Sequence, residues 1–386
     1  VTLDLILAGG RIIDGTGAPG RPADVGIRGD RIAAVGDLSG RAAAVRRDVA
    51  GLTVAPGFID THTHDDHALL STPEMPFKTS QGVTTVVVGN CGISLAPLLP
   101  EEEPPRPLDL LGGRTNFRFP SFRDYLDAVD AAAPAVNAVC LAGHITLRAG
   151  AMGRLDRPAD AREIRAMADR LEEAMEAGAV GLSSGLYYDA SHAAPTSELI
   201  ELARVVGRFG GLYATHLRDE GDGVIEAMEE AFAIGRAAGI PVILSHHKVA
   251  GRRNHGRSRE TLALLNAVSG RQPVGIDAYP YTAGATELRM DAVETADRVL
   301  ITFSRAVPEA TGRDLADLAR EWDVPVAKAV RRLQPAGAVY FLMDEADVRR
   351  ILAWPGTMIG SDSIPSEVHP HPRLWGTFPR VLGHYG

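Results

Sequence analysis

An α/β fold, built on a closed (β/α)8 TIM-like barrel with a small β domain in front of it, is predicted by three observations. From residue 56 onward, eight short apolar runs alternate with stretches that carry apolar residues at helical spacing. Most of those runs end in His, Cys, Ser, Tyr or Asp, the residue types that a parallel barrel gathers on one rim. The first 55 residues keep a different rhythm, of short strands punctuated by Gly and Asp.

At 386 residues the chain can form one large domain plus a small one. A hydrophobic content of 45% beside 23% charged residues fits a soluble globular enzyme. The net charge of −9 disfavours a nucleic-acid or anionic-membrane partner. No apolar run approaches the roughly 20 residues a membrane helix needs. The opening Val-Thr-Leu-Asp has neither the basic nor the apolar part of a leader, and two cysteines, Cys91 and Cys140, are too few for a disulfide framework. A cytoplasmic location is the expectation.

Residues 1–55 form the expected β domain, proposed as a small β-sandwich. Its strand candidates are Asp4-Leu-Ile-Leu, Arg11-Ile-Ile, Asp24–Gly36 and Thr53-Val, with a hairpin turn at Arg28-Gly-Asp-Arg31. The barrel occupies 56–386, with strands expected at Phe58–His62, Val83–Gly89, Val136–Gly143, Ala179–Ser183, Leu212–His216, Pro241–His246, Val274–Tyr279 and Thr357–Asp362. Helices are expected over Ala159–Ala177, Thr196–Arg208, Val224–Ala238 and Ser258–Val268, with Gly178, Gly210 and Gly239 where helices end.

Before the last strand the chain inserts a long segment, about 286–350, with helical patterns at Arg313–Arg320, Val326–Arg332 and Glu345–Ile351. Its length and place suggest a lid on the catalytic face. The Pro- and Glu-rich stretch Leu99–Pro120 reads as a solvated surface loop.

The chemistry lies at the strand ends. His62 and His64, one residue apart, point to the same side of a strand and can grip one divalent metal. Further round come Cys91, His144, Ser183, His216, His246, Tyr279 and Asp362. Cys91, between glycines after an apolar run, reads as a metal-binding thiolate rather than one more small core residue. Asp362 reads as facing the metal rather than capping the next turn. His144 reads as a hydrogen-bonding neighbour of the site and His247 as structural. Asp65, Asp66 and His67 read as loop residues beyond the site.

Pro56-Gly-Phe-Ile-Asp-Thr-His-Thr-His64 with two later strand-end histidines and Gly360-Ser-Asp362 resembles the amidohydrolase superfamily. More closely, Thr84-Thr-Val-Val-Val-Gly-Asn-Cys-Gly92, Ser245-His-His-Lys248, Tyr279-Pro-Tyr and His371-Pro-Arg-Leu-Trp-Gly-Thr-Phe-Pro-Arg380 resemble the N-acyl-D-amino-acid deacylases, over essentially the whole chain. The resemblance implies hydrolysis of a linear amide, with one Zn2+ held tightly by Cys91, His216 and His246. It implies a second, weaker site at His62, His64, Cys91 and Asp362, with Cys91 as the bridge. The three lysines agree: Lys78 lies in a helical stretch, Lys328 in the insertion and Lys248 beyond its strand's histidine, so none suits the carbamylated bridge of other branches.

The same resemblance implies Asp362 as general base and acid and Tyr188 as oxyanion donor, although Tyr187 or Tyr188 could equally pack at a barrel rim. Lys248, Tyr279 and Arg373 match the family's positions for the substrate α-carboxylate. A substrate with an acidic side chain would want a further cation, and Arg289 and Arg298 are the candidates. The implied partner is thus a small N-acyl-D-amino acid. Two competitors are a cyclic-amide hydrolase, which needs the missing carbamylated lysine, and a non-catalytic barrel scaffold. Family members run on into a further helix and a return to the small β domain, whereas this sequence stops at Gly386, so that segment is expected to have been trimmed or to come from elsewhere.

Overall fold

The structure, a computed structural model, describes residues 2–365 and 368–386. The chain divides into two compact units, Val1–Phe58 and Ile59–Gly386.

The first unit is one five-stranded sheet. Leu3–Ile12 lies at its centre, antiparallel to Arg21–Arg28 on one side and parallel to Ala43–Asp48 and Thr53–Val54 on the other. Arg31–Gly36 forms the edge. Arg28 faces Arg31 across Gly29 and Asp30, and Gly29 has the positive φ, 58°, that so tight a turn demands. Leu3 and Ile6 are buried together with Leu38 as a small core.

The second unit is a parallel barrel. Its strands are Phe58–Asp60, Val83–Val88, Asn137–Cys140 continued by Ala142–Gly143, Gly181–Gly185, Leu212–His216, Val242–Leu244, Val274–Ala278 and Thr357–Ile359. Each pairs with the next. Closure comes from the Thr61 N–H donating to Ile359 O at 3.1 Å and a parallel bridge between Thr63 and Ser363. The last strand is shorter than the sequence pattern suggests, because Gly360 leaves the ladder and the chain turns sharply at Asp362.

Between strands run helices with the expected punctuation. Ala161–Ala177 opens on a capping box, Asp160 with Glu163, and closes at Gly178. Val224–Ala238 ends at Gly239, in the left-handed region that relieves the last carbonyls.

The segment before the last strand differs from its sequence pattern. Its helices are there, at Leu315–Glu321, Val326–Leu333 and Glu345–Leu352. They accompany an unforeseen antiparallel sheet, in which Ala336–Phe341 lies between Ala283–Glu287 and Arg298–Ser304. Ile301, Leu315, Leu318, Leu333 and Tyr340 give it a core of its own. Short apolar runs such as Val299-Leu-Ile-Thr-Phe carry no periodicity that separates strand from helix.

Leu99–Pro120 is not the solvated loop expected. Leu108, Leu110, Leu111 and Phe117 are buried, on two short 3-10 turns, Leu108–Leu111 and Arg114–Asn116. After the eighth strand an eight-residue helix, Arg373–Arg380, is present, where no helix was anticipated. Among the described residues, no helix is long and apolar enough to cross a membrane.

Candidate metal centre

Cys91 sits on a tight turn after the second barrel strand, with φ 54°. Ser183, from the fourth strand, ties that turn down: its hydroxyl donates to Gly89 O and accepts from the Gly92 N–H at 2.9 Å. A Cβ at Gly89 would stand 2.0 Å from Leu141 O, so only glycine lets the turn approach the third strand.

Three donor atoms converge there. His216 Nδ1 lies 3.0 Å from His246 Nε2, and Cys91 Sγ lies 3.3 Å from the same nitrogen. All three residues are buried. Glu220 stands behind both rings: its Oε1 is 3.0 Å from His246 Nδ1 and its Oε2 is 3.6 Å from His216 Nε2. Lys248 Nζ stands 2.7 Å from the same His246 Nδ1, so both Glu220 and Lys248 bear on that ring. Burial alone would raise the Cys91 thiol, but His62 and His246 hold it well below its usual range, as a thiolate. The three donor atoms lie close enough to share one cation. The thiolate–imidazole set fits a divalent metal of borderline softness.

Cys91 serves a second cluster as well. His62 Nε2 lies 3.3 Å from Sγ, and its Nδ1 is held by Asp277 at 3.2 Å. His62, His64 and Cys91 form one potential ligand group, and His62, His246 and Asp362 another. The strand-end geometry thus brings all six sequence-derived metal candidates together.

Asp362 faces His64 Nε2 at 3.4 Å through Oδ1 and Arg373 Nη1 at 2.7 Å through Oδ2. Burial would raise its carboxyl, yet the Arg373 guanidinium and the surrounding imidazoles hold it well below the usual carboxylate range. It is therefore ionised. Cys91, His246 and Asp362 all have left-handed φ, at 54°, 37° and 49°. Non-glycine residues persist there only when their surroundings over-determine them.

A cavity opens over these groups. His64, His216, His246, Asp362, Lys248 and Tyr279 form part of its wall, and Tyr187, Tyr188, Leu110, Tyr340 and Leu342 supply apolar surface. The Tyr188 hydroxyl contacts Thr286 Oγ1 at 3.2 Å, and its ring meets His216 edge-on. Lys248 and Arg373 lie 5.8 and 4.8 Å from the Tyr279 ring centroid, so these three come together. Lys248 also donates to Glu220 at 2.6 Å. Arg289 stacks on Tyr187 at 4.7 Å and is paired with Glu287, Asp291 and Asp189. Arg298 lies elsewhere in the insertion, paired with Asp314.

Some expectations need correction. His144 is no neighbour of the metal ligands: it starts the helix His144–Ala151 and bonds Glu198 at 2.9 Å, because the third strand ends before it. Asp65 and Asp66 lie in a loop as expected, but both are buried, Asp65 beside Lys78 and Ser363. Lys78 lies in a short helix, Pro76–Thr79, as expected, and is fully buried. Glu220 and Asp277, which orient the imidazoles, were missed. Asp277, a carboxylate inside an apolar strand, carried a readable signal, since buried charges need a partner. Glu220, in an ordinary polar loop, carried none. His247 is structural as expected, bonded to Thr261 at 2.9 Å.

Comparison with known proteins agrees with this geometry. Residues 47–296 match the model of the amidohydrolase family. The chain is 58% identical over 382 residues to a D-aminoacylase of Alcaligenes xylosoxydans xylosoxydans, covering 99% of this chain and 79% of that one. An N-acyl-D-aspartate deacylase of the same organism is 52% identical, covering 98% and 76%. Among solved structures, a D-aminoacylase studied for its binuclear metal centre, with one-metal activation and second-metal attenuation, superposes with a TM-score of 0.96 at 57% identity, covering 99% of this chain and 81% of that one. An N-acyl-D-glutamate deacylase of Bordetella bronchiseptica, complexed with zinc and a phosphonate mimic of the tetrahedral intermediate, gives 0.94 at 46% identity, covering 100% and 81%. With its thiolate–imidazole centre on the rim of a parallel barrel, this chain belongs to the amidohydrolase family.

Proposed function

We propose that the protein hydrolyses the amide bond of N-acyl-D-amino acids, releasing a carboxylate and a free D-amino acid. The observation that carries the reading is the convergence of Cys91, His216 and His246 beneath a cavity lined by Asp362, Lys248 and Tyr279, with Arg373 packed behind the Tyr279 ring. Cys91, His216 and His246 would hold a tight zinc, and His62, His64, Cys91 and Asp362 a weaker second one. When bound, zinc polarises a carbonyl and acidifies water.

The remaining work falls to the chain. Asp362, ionised and facing the cavity, takes a proton from the attacking water and returns it to the departing nitrogen. The Tyr188 hydroxyl donates to the oxygen on which negative charge develops. Lys248, Arg373 and the Tyr279 hydroxyl orient the substrate α-carboxylate, which turns the scissile carbonyl toward Asp362. Arg289 already has three carboxylate partners, so its capacity for an acidic side chain is limited and the aromatic wall favours apolar ones. The strands of residues 1–55 read as half of a small β-sandwich and the segment about 286–350 as a lid on the catalytic face. The acidic balance and the reduced cysteines suit a cytoplasmic enzyme.

A screen of N-acetyl-D- and N-acetyl-L-amino acids with zinc supplied tests the reading. Turnover of D-substrates is expected, and hydrolysis confined to L-substrates refutes it.

A further inference from the structure

Lys78 is a fully buried charge, which a fold tolerates only when its partners are in place. Its Nζ donates to Asp60 Oδ2 at 2.6 Å, Ser363 Oγ at 2.7 Å and Ser361 Oγ at 2.9 Å, and it stands 3.2 Å from Asp65 Oδ2. All four partners are fully buried. It enters from the short helix Pro76–Thr79, outside the metal ligands.

These partners have meaningful addresses. Ser361 and Ser363 flank Asp362. Asp60 and Asp65 bracket His62 and His64. The same groups tie the two segments directly: the Ser361 N–H donates to Asp60 Oδ1 at 2.7 Å, the Ser363 hydroxyl to Asp65 Oδ1 at 3.1 Å, and the His64 N–H to Ser363 O at 3.0 Å. Between them the Asp362 N–H donates to His62 O at 2.7 Å. Asp362 itself holds a left-handed backbone, φ 49°, a conformation uncommon outside glycine. Without the ammonium, Asp60 and Asp65 would stand close together as buried carboxylates with no counter-ion, and the two serine hydroxyls would lose the donor they share.

Resting on the reading of Asp362 as base, we infer that Lys78 is a positioning residue that locks the Ser361–Asp362–Ser363 turn against the His62–His64 segment and so sets where the carboxylate stands. Lys78 touches neither substrate nor metal. Its effect passes through Asp362.

The test is the double variant Ser361→Ala/Ser363→Ala, which cuts the turn's hydroxyl contacts with the ammonium and Asp65 but leaves its backbone ties and the Lys78–Asp60 and Lys78–Asp65 pairs intact, so that the fold is retained. Lys78→Met is the stronger companion. In the folded double variant one tightly bound zinc per chain remains, and KM for an N-acetyl-D-amino acid stays within about twofold. Its kcat falls about tenfold or more, and the Kd for a second zinc, titrated calorimetrically, weakens to a similar degree. A double variant whose kcat and second-zinc Kd both match the parent overturns the inference. If the parent is inert on N-acyl-D-amino acids, the activity reading fails separately, and the second-zinc Kd alone still decides the role of Lys78.

Discussion

Arg373 and Asp362 form a buried ion pair, Nη1 to Oδ2 at 2.7 Å, in which only Asp362 reaches the wall of the cavity over the metal ligands. The pair joins the proposed base to one of the proposed substrate-orienting cations, so each constrains the other. An ionised carboxylate fixed in this way accepts a proton without first losing one.

Asp362→Asn keeps the shape of that contact and removes the proton acceptor. It is expected to retain the tight zinc, whose three proposed ligands are elsewhere, and to lose turnover by about 100-fold or more, the usual worth of a general base. Metal content and kcat measured on the same preparation check this, and near-normal turnover would remove Asp362 from the base role.

Cys91 is common to two of the potential ligand groups. Cys91→Ala is therefore expected to abolish binding at both positions, whereas His64→Ala leaves the Cys91–His216–His246 set complete and keeps one zinc. Metal analysis after dialysis distinguishes them. Equal zinc content in the two variants would contradict the bridging place of Cys91.

Glu198 predicts a pH dependence of stability away from the site. It is buried, accepts from Arg148 Nη1 and faces His144 Nε2, and those partners outweigh burial to lower its carboxyl to about 2. A group depressed in the folded state contributes stability that is fully present above its unfolded value, near 4.5, and is lost as pH falls through about 2. Glu198→Gln leaves the Arg148 charge buried without its counter-ion and should cost about 3 kcal/mol at neutral pH. Denaturant unfolding of the parent and variant at pH 7 and at pH 3 measures it, with the gap narrowing at the lower pH.

The barrel and its ligands were legible because both rest on short-range rules. Alternating apolar runs and helices specify the parallel strands, and period two places His62 beside His64. The supporting shell was less legible. Lys78 meets Ser361 and Ser363 nearly the whole barrel circumference away in sequence, a proximity created only by closure of the first strand on the last. Glu220 looks like any loop acid until the fold sets it behind two imidazoles. Leu110 lines the cavity from a stretch whose Pro and Glu content advertises solvent. Local composition reports what a segment tolerates, and distant packing decides what it touches.

The left-handed backbone at Cys91, His246 and Asp362 sets thermal endurance against chemistry. Glycine at any of the three would relieve about 1 kcal/mol or more of conformational cost while deleting the group the reaction needs. Selection for melting temperature alone would drift toward those replacements and return a sturdier, silent barrel. An engineer seeking a hardier catalyst should therefore hold these three positions fixed and look for gains in the surface helices instead.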